Sequence, residues 1–185
     1  PILKLEILAK CFVGWLLGKI GTVSDEVNYI GTFFHGKVHP WELRAKEIEY
    51  EPDRLFGFIP WDRQHDAKTF VISKKGDCNH WNRFWQVVSH NLGEKALLVT
   101  WIAHPNKAKH WWYWLIPPYW LFHWIAMSHG TCLINQGSYW EAYDYGDRTG
   151  PFESAQVAIK SLAKKYDCTV TSYAAQNINW KFEKI

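Results

Sequence analysis

The sequence has no cysteine pair in CxxC spacing and no histidines in HExxH or HxH spacing, although it contains nine histidines. Zinc sites are usually built from such closely spaced ligands, so we expect no metal site, and no motif points to a cofactor. The four cysteines are far apart along the chain, at Cys11, Cys78, Cys132 and Cys168. A chain of 185 residues can bury a core without covalent cross-links, so we expect reduced thiols.

Long hydrophobic runs are also missing. Residues 11–17 form a run too short for a secretory signal, and no small-residue cleavage site follows it. Residues 111–127 are mostly apolar, but Pro117 and Pro118 would break a helix, and a membrane span needs about 20 apolar residues. We therefore expect a cytoplasmic protein without a membrane-spanning helix. Peripheral membrane contact through exposed Trp and Tyr rings stays open as an option.

Charge of one sign is not in large excess. The chain has 21 Lys and Arg residues against 18 Asp and Glu residues, a net charge of +3, which gives no reason to expect a nucleic-acid partner. The hydrophobic fraction of 48% and the charged fraction of 21% are typical of a folded globular chain and exclude a disordered or collagen-like one. The length predicts one domain.

Tryptophan is the residue that the sequence has in excess: there are thirteen, and six lie in the segment 101–124, called here the Trp-rich segment. Composition alone leaves open whether this segment is core, a ligand platform or a membrane contact. Four of its tryptophans fall in an insertion between two predicted core strands, where we expect recognition of a substrate or partner: Trp111, Trp112, Trp114 and Trp120.

Apolar periodicity predicts the elements of an α+β domain with an antiparallel sheet. The first helix is expected to pack on the domain through Leu5, Leu8, Phe12, Trp15, Leu16 and Ile20. Next come a strand region at 28–38, a long loop at 51–75, a helix at 78–92, a strand at 96–103, a hairpin at 124–145, a helix beginning at Gly150-Pro151, and strands at 168–173 and 178–182. We divide the single domain 1–185 into an N-terminal helical extension (1–50), a core (55–150) and a C-terminal helix with strands (151–185).

Cys78 is predicted to lie at the start of the central helix. Asp77 is a good N-cap, and Cys78 falls on the same helical stripe as Trp81 and Trp85. The unpaired N–H groups and the dipole of a helix N-terminus stabilise a thiolate, which makes a cysteine there nucleophilic. The same N–H groups can bind the oxyanion that forms when a thiolate attacks a carbonyl. Taken alone, such a cysteine is also typical of a small buried core residue.

The hairpin supplies a histidine and a carboxylate. A two-residue turn at Gln136-Gly137, or a four-residue turn around it, sets His129 directly opposite Asp144 on one face. A nucleophilic cysteine needs a general base within hydrogen-bond reach, and the base needs a group that orients it. The pair alone is also typical of a surface contact, but the three residues together favour catalysis.

Three segments then carry a family resemblance: Gly76-Asp77-Cys78, Ser128-His129-Gly130-Thr131-Cys132-Leu133-Ile134 and Tyr139-Trp140-Glu141-Ala142-Tyr143-Asp144-Tyr145-Gly146. They resemble the transglutaminase-like cysteine peptidases of the papain-like superfamily, in their compact bacterial and phage form, over about residues 55–150. The resemblance implies a papain-like fold whose nucleophile begins a helix packed on an antiparallel sheet. It also implies Cys78 as nucleophile, His129 as general base and then acid, and Asp144 as the residue that fixes the imidazole.

The resemblance further implies an oxyanion hole made by the backbone N–H of Cys78 and a second donor. The family uses a tryptophan or a glutamine for this, and the candidates are Trp41 and Gln64. Cys132 is expected to be a core thiol, because it lies three residues along its strand from His129 and therefore on the opposite face.

These residues predict a cysteine hydrolase that cleaves an amide, peptide or isopeptide bond through a thioester, with a protein or peptide as substrate. The same triad would support transamidation or deamidation. Two other classes remain open: a catalytically silent binding module that uses the Trp-rich segment, and a protein that binds carbohydrate or nucleic acid by tryptophan stacking.

Overall fold

The computed structural model describes residues 2–32, 48–50, 65–105 and 128–185. Its helices are α1 (Ile2–Leu16), α2 (Val23–Thr32), α3 (Ala67–Ser73), α4 (Cys78–Asn91) and α5 (Ala155–Lys165). Its strands are β1 (Glu49–Tyr50), β2 (Lys75–Gly76), β3 (Lys95–Pro105), β4 (Ser128–Asn135), β5 (Trp140–Asp144), β6 (Asp147–Phe152), β7 (Cys168–Gln176) and β8 (Phe182–Glu183).

Six of these strands form one sheet in the order β6-β5-β4-β3-β7-β8, and every neighbouring pair is antiparallel. Helices pack on this sheet, so the predicted α+β class with an antiparallel sheet is confirmed. The short strands β1 and β2 form a separate parallel pair, and β2 ends two residues before α4 begins.

The sheet is covered on both faces because successive residues of a strand point to opposite sides. On one face α4 packs through Trp81 and Trp85 against Cys132. On the other face α5 packs through Ile159 against Leu133. The middle of β4 is therefore buried on both sides, which explains why it reads as a nearly continuous apolar run.

The start of α4 lies where the sequence predicts it. The Asp77 carboxylate accepts hydrogen bonds from the backbone N–H of Asn79 at 3.0 Å and of His80 at 3.4 Å. In return Nδ1 of His80 accepts the Asp77 N–H at 3.0 Å, which completes a capping box. The side chains from Cys78 to Ser89 are all buried, because α4 is enclosed by the sheet, α2 and α3.

The hairpin of β4 and β5 forms, but the predicted register is wrong by two residues. Asn135 pairs with Trp140, and its side chain accepts the N–H of Gly137 at 2.7 Å inside a longer turn. His129 and Asp144 are therefore diagonal neighbours, not directly opposite. Because side chains repeat every two residues, this shift keeps both on the same face. Diagonal neighbours are still within reach of long side chains.

The orientation predicted for α1 is also wrong. The residues expected to pack inward are mostly exposed, namely Leu5, Leu8, Phe12, Trp15 and Leu16. The helix buries Leu3 and Ile7 against Ile102 and Ala174 of the sheet. Apolar residues occur on both sides of α1, so periodicity alone could not decide which side faces the domain.

Two expected irregular or strand regions contain helices. The predicted strand at 28–38 is wrong for residues 28–32, which belong to α2, and residues 33–38 lie outside the described ranges. The carboxylate of Glu26 in α2 forms a buried ion pair with Arg83 of α4 at 2.5 Å, a tertiary contact that the local sequence does not reveal.

The loop predicted at 51–75 contains the helix α3, which is capped by Asp66, while residues 51–64 lie outside the described part.

The C-terminal helix begins later than predicted. Gly150 and Pro151 lie in β6, and α5 begins only at Ala155. The Ser154 hydroxyl is its N-cap and accepts the N–H of Val157 at 3.2 Å. The final strands occur near the predicted positions: β7 runs three residues further than expected, and the strand expected at 178–182 is reduced to Phe182–Glu183.

Candidate active site

Cys78 is the first residue of α4, as the sequence predicts, and only 8% of its surface is exposed. The helix cap places the thiol where backbone N–H groups and the helix dipole stabilise negative charge. The carbonyl of Cys78 accepts a hydrogen bond from the side chain of Asn82, one turn further along. The Asn82 side-chain oxygen in turn accepts the backbone N–H of Cys132 on β4 at 3.1 Å. One asparagine thus joins the first turn of α4 to the strand that carries His129.

His129 and Asp144 are brought together at the end of the sheet. Nε2 of His129 lies 2.8 Å from Oδ1 of Asp144. The Asp144 side chain is fully buried, and that of His129 is 15% exposed. Since Nε2 is engaged by the carboxylate, Nδ1 is the ring nitrogen left for proton transfer with a nucleophile or substrate.

The contact between α4 and β4 brings Cys78 towards His129. Gly130 follows His129, and Asn79 follows Cys78. A Cβ built on Gly130 would lie 2.5 Å from Oδ1 and 3.3 Å from Cα of Asn79. The nucleophile candidate and the base candidate are therefore each adjacent in sequence to one partner of a close contact. Only glycine at position 130 permits this approach.

Replacing Gly130 with alanine is expected to push α4 away from β4. We expect a loss of about 1–3 kcal/mol in the free energy of unfolding, because the new methyl group overpacks a contact made partly by backbone. Urea unfolding measures this loss. Gly146→Ala is the matched control, since a Cβ at Gly146 has nothing within 4 Å. Equal stabilities of the two variants would contradict the close contact at Gly130.

Three aromatic rings of the described residues contact the His129 imidazole. Trp101 meets it edge-on with 5.0 Å between ring centroids, Tyr166 lies at 5.1 Å and Tyr145 at 5.4 Å. The Trp101 indole is itself fixed, because its N–H donates to the Thr131 hydroxyl at 2.8 Å. This packing limits rotation of the imidazole and covers most of its surface.

Two of these aromatic residues, Tyr145 and Tyr166, also interact electrostatically with Cys78. Burial, the largest cause, raises the pKa of the Tyr145 and Tyr166 phenols, and the charge of the Cys78 thiolate raises both further. The same two tyrosines therefore interact electrostatically with the candidate nucleophile and are in ring contact with the candidate base.

The Asp144 carboxylate is held by more than His129. The Tyr166 hydroxyl donates to Oδ2 of Asp144 at 2.6 Å, and the Lys165 ammonium lies 3.4 Å from the same oxygen. Burial alone would raise the pKa of Asp144. The hydrogen bond and the charge of His129 oppose burial, with further contributions from Tyr166 and Lys165, and the net effect is a lowered pKa.

The lowered pKa of Asp144 predicts how stability depends on pH. A carboxyl whose folded pKa lies below its unfolded value of about 3.9 stabilises the fold above that value, and loses this contribution as the pH falls through the folded pKa. We therefore expect wild type to be more stable than Asp144→Asn at pH 6, and the difference to shrink below about pH 4. Urea unfolding of both proteins across this range measures it, and a difference that stays constant would contradict the prediction.

Tyr145 and Tyr166 are the residues that sequence reasoning missed. In the sequence Tyr166 continues the apolar spacing of Ile159 and Leu162, yet it is the C-cap residue of α5 and its hydroxyl donates to Asp144. Tyr145 has φ of 55°, a left-handed conformation unusual for a tyrosine, and the Trp85 indole donates to its carbonyl. No local pattern signals either contact, because both depend on how α5 and α4 meet the hairpin.

Of the other residues singled out in the sequence, one lies in the described part of the chain and six lie outside it. Cys132 is fully buried as expected, and burial raises its pKa, so it is a core thiol. The remaining oxyanion and substrate-binding candidates lie outside the described residues: Trp41, Gln64, Trp111, Trp112, Trp114 and Trp120. In the described ranges no three His, Cys, Asp or Glu side chains are grouped to hold a metal ion.

None of the family models and none of the curated proteins that were compared match this chain. Among the helices of the described segments, none combines the length and the apolar character needed to cross a membrane.

Proposed function

We propose that this protein is a cysteine hydrolase in which Cys78, His129 and Asp144 form a catalytic triad. The observation that carries the proposal is the 2.8 Å hydrogen bond from His129 to a fully buried Asp144, on the strand pair that adjoins the helix start at Cys78. A surface pair of histidine and aspartate would be solvated. Burying a carboxylate is costly unless it is paired and hydrogen-bonded, and here both of its oxygens have partners.

In the proposed reaction the Cys78 sulfur attacks the carbonyl carbon of an amide. The C–S bond forms, the carbonyl electron pair moves to oxygen, and the N-terminal turn of α4 stabilises the resulting oxyanion. His129, protonated from the thiol, gives that proton to the nitrogen of the leaving amine as the C–N bond breaks. A thioester on Cys78 and a free amine result.

Water completes the cycle. His129 removes a proton from the attacking water, whose oxygen bonds to the thioester carbon. The C–S bond then breaks as the carbonyl re-forms, the carboxylic acid leaves, and His129 returns the proton to the Cys78 sulfur. Asp144 keeps the imidazole oriented and stabilises its charged form in both halves, without accepting the proton. An amine in place of water would give transamidation, and ammonia as the leaving group would make the reaction a deamidation.

The papain-like fold, the type of substrate and the location of the protein belong to the same proposal. A cysteine at a helix start, a histidine on one strand and an aspartate on the neighbouring strand support a transglutaminase-like, papain-like arrangement. A cytoplasmic location and a protein or peptide substrate remain predictions from the sequence, as does the bacterial or phage origin that the resemblance implies.

Selective alkylation tests the proposed nucleophile. Iodoacetamide at pH 6, followed by peptide mass spectrometry, compares all four thiols in one protein. We expect Cys78 to react much faster than the partly exposed Cys11 and Cys168, although it is more buried than either. Sluggish labelling of Cys78, no faster than that of Cys11 and Cys168, would favour the silent binding module.

A product assay separates the three reactions. Peptides with glutamine side chains and with internal amide bonds are incubated with the protein, with and without a primary amine. Chain cleavage indicates a peptidase, release of ammonia with formation of glutamate indicates a deamidase, and incorporation of the amine indicates a transamidase.

A further inference from the structure

Tyr166 occupies a fixed position at the end of α5. The backbone N–H of Tyr166 donates to the carbonyl of Ala163 at 3.1 Å, and the backbone carbonyl of Tyr166 accepts a hydrogen bond from the Cys168 thiol at 3.2 Å. Ala163 and Leu162 anchor this end of the helix in the core below the sheet. A side chain held by a packed helix end is well placed to orient another group.

The Tyr166 hydroxyl controls the Asp144 oxygen that His129 does not use. A carboxylate attached through a single Cβ can rotate, so aiming Oδ1 at Nε2 of His129 requires that Oδ2 also be held. The Tyr166 hydroxyl does this at 2.6 Å, and a hydrogen bond to a charged acceptor is among the stronger ones in proteins. The tyrosine ring also packs against the imidazole with 5.1 Å between centroids.

Lys165 is a weaker candidate for the same task. Its ammonium is 3.4 Å from Oδ2 of Asp144, but it also lies 3.6 Å from Asp147, and the Lys165 side chain is 48% exposed. An exposed ammonium shared between two carboxylates does not define a direction.

We propose that Tyr166 is a positioning residue of this site: its hydroxyl fixes the Asp144 carboxylate, and through it the orientation of His129. The proposal rests on the proposed function for its catalytic consequence. The contact with Asp144 can be tested whether or not that function is correct. In this scheme the Tyr166 hydroxyl does not touch the reacting atoms and acts through Asp144, while the Tyr166 ring packs against the imidazole.

Tyr166→Phe tests the role of the hydroxyl, because it removes one oxygen and keeps the ring against His129. Tyr139→Phe is the matched control, since Tyr139 is exposed and lies in the turn at the far end of the hairpin. We expect Tyr166→Phe to slow alkylation of Cys78 at pH 6 about tenfold, the lower end for loss of a hydrogen bond to a charged group. The control should react at the wild-type rate.

A second readout does not depend on catalysis. The carboxyl carbon of Asp144, followed by NMR against pH, should titrate at higher pH in Tyr166→Phe than in wild type. The reason is that the lost donor stabilises the charged carboxylate, which also faces His129 and Lys165. A tyrosine that only fills space would leave this titration unchanged in the phenylalanine variant.

The outcomes separate the two proposals. Slower alkylation together with a raised Asp144 titration supports the positioning role. An unchanged rate or an unchanged Asp144 titration in a folded Tyr166→Phe overturns it. If wild-type Cys78 is no more reactive than the other thiols, the hydrolase proposal fails. The Asp144 titration then still decides whether Tyr166 fixes the carboxylate.

Discussion

Cys78→Ser should lose essentially all hydrolysis of any amide that the wild-type protein cleaves, a fall of at least about 10⁴-fold in kcat/KM. A serine hydroxyl has a far higher pKa than a thiol, so the helix terminus and a histidine arranged for a thiolate do not activate it. Steady-state kinetics on the cleaved peptide measure the loss. Because serine is close to cysteine in size, we expect the melting temperature to change little.

Cys11→Ser is the control for this substitution. Cys11 is partly exposed on α1 and packs against the cluster that contains Leu3 and Ile7. Its replacement should leave kcat/KM unchanged. Substantial residual activity in Cys78→Ser, or an equal loss in Cys11→Ser, would contradict the assignment of the nucleophile.

His129→Ala should lower kcat/KM by about 10³–10⁴-fold, because the variant has no group to deprotonate the thiol or to protonate the leaving amine. Asp144→Asn should lower kcat/KM less than His129→Ala does, since the amide oxygen of asparagine can still accept the hydrogen bond from Nε2–H and keep the orientation of the ring. The same kinetic assay ranks the two variants.

His90→Ala provides the histidine control. His90 is exposed in the last turn of α4, at the end of the helix that is opposite to Cys78. The kcat/KM of His90→Ala should equal that of wild type. A loss in Asp144→Asn larger than that in His129→Ala would contradict the roles given to the two residues.

The sequence was sufficient for the parts of the site that depend on local physics. Asp77 and the apolar stripe of Trp81 and Trp85 predicted the start of α4, and thereby the position of Cys78, because helix capping depends on a few adjacent residues. The pairing of His129 with Asp144 was predicted for a register that proved wrong. The two side chains nevertheless meet, because a register error of two residues leaves side chains on the same face of the sheet.

Features that depend on contacts between distant parts of the chain could not be predicted from the sequence. The apolar residues on both sides of α1 gave no basis for choosing its buried face, which the sheet residues Ile102 and Ala174 select. Likewise Tyr166 reads as one more apolar position of an amphipathic helix. Its hydroxyl acquires a partner only because α5 ends beside the buried Asp144, which is distant in sequence.

The pH dependence of Cys78 alkylation, measured in wild type and in His129→Ala, is the decisive test of the thiol–imidazole pair. In wild type we expect rapid reaction that persists well below pH 8.5, the range where an ordinary thiol loses its thiolate. In His129→Ala the profile should move to higher pH, with a rate at pH 6 at least about tenfold slower. Identical profiles in the two proteins would show that His129 does not act on Cys78, and would contradict the triad.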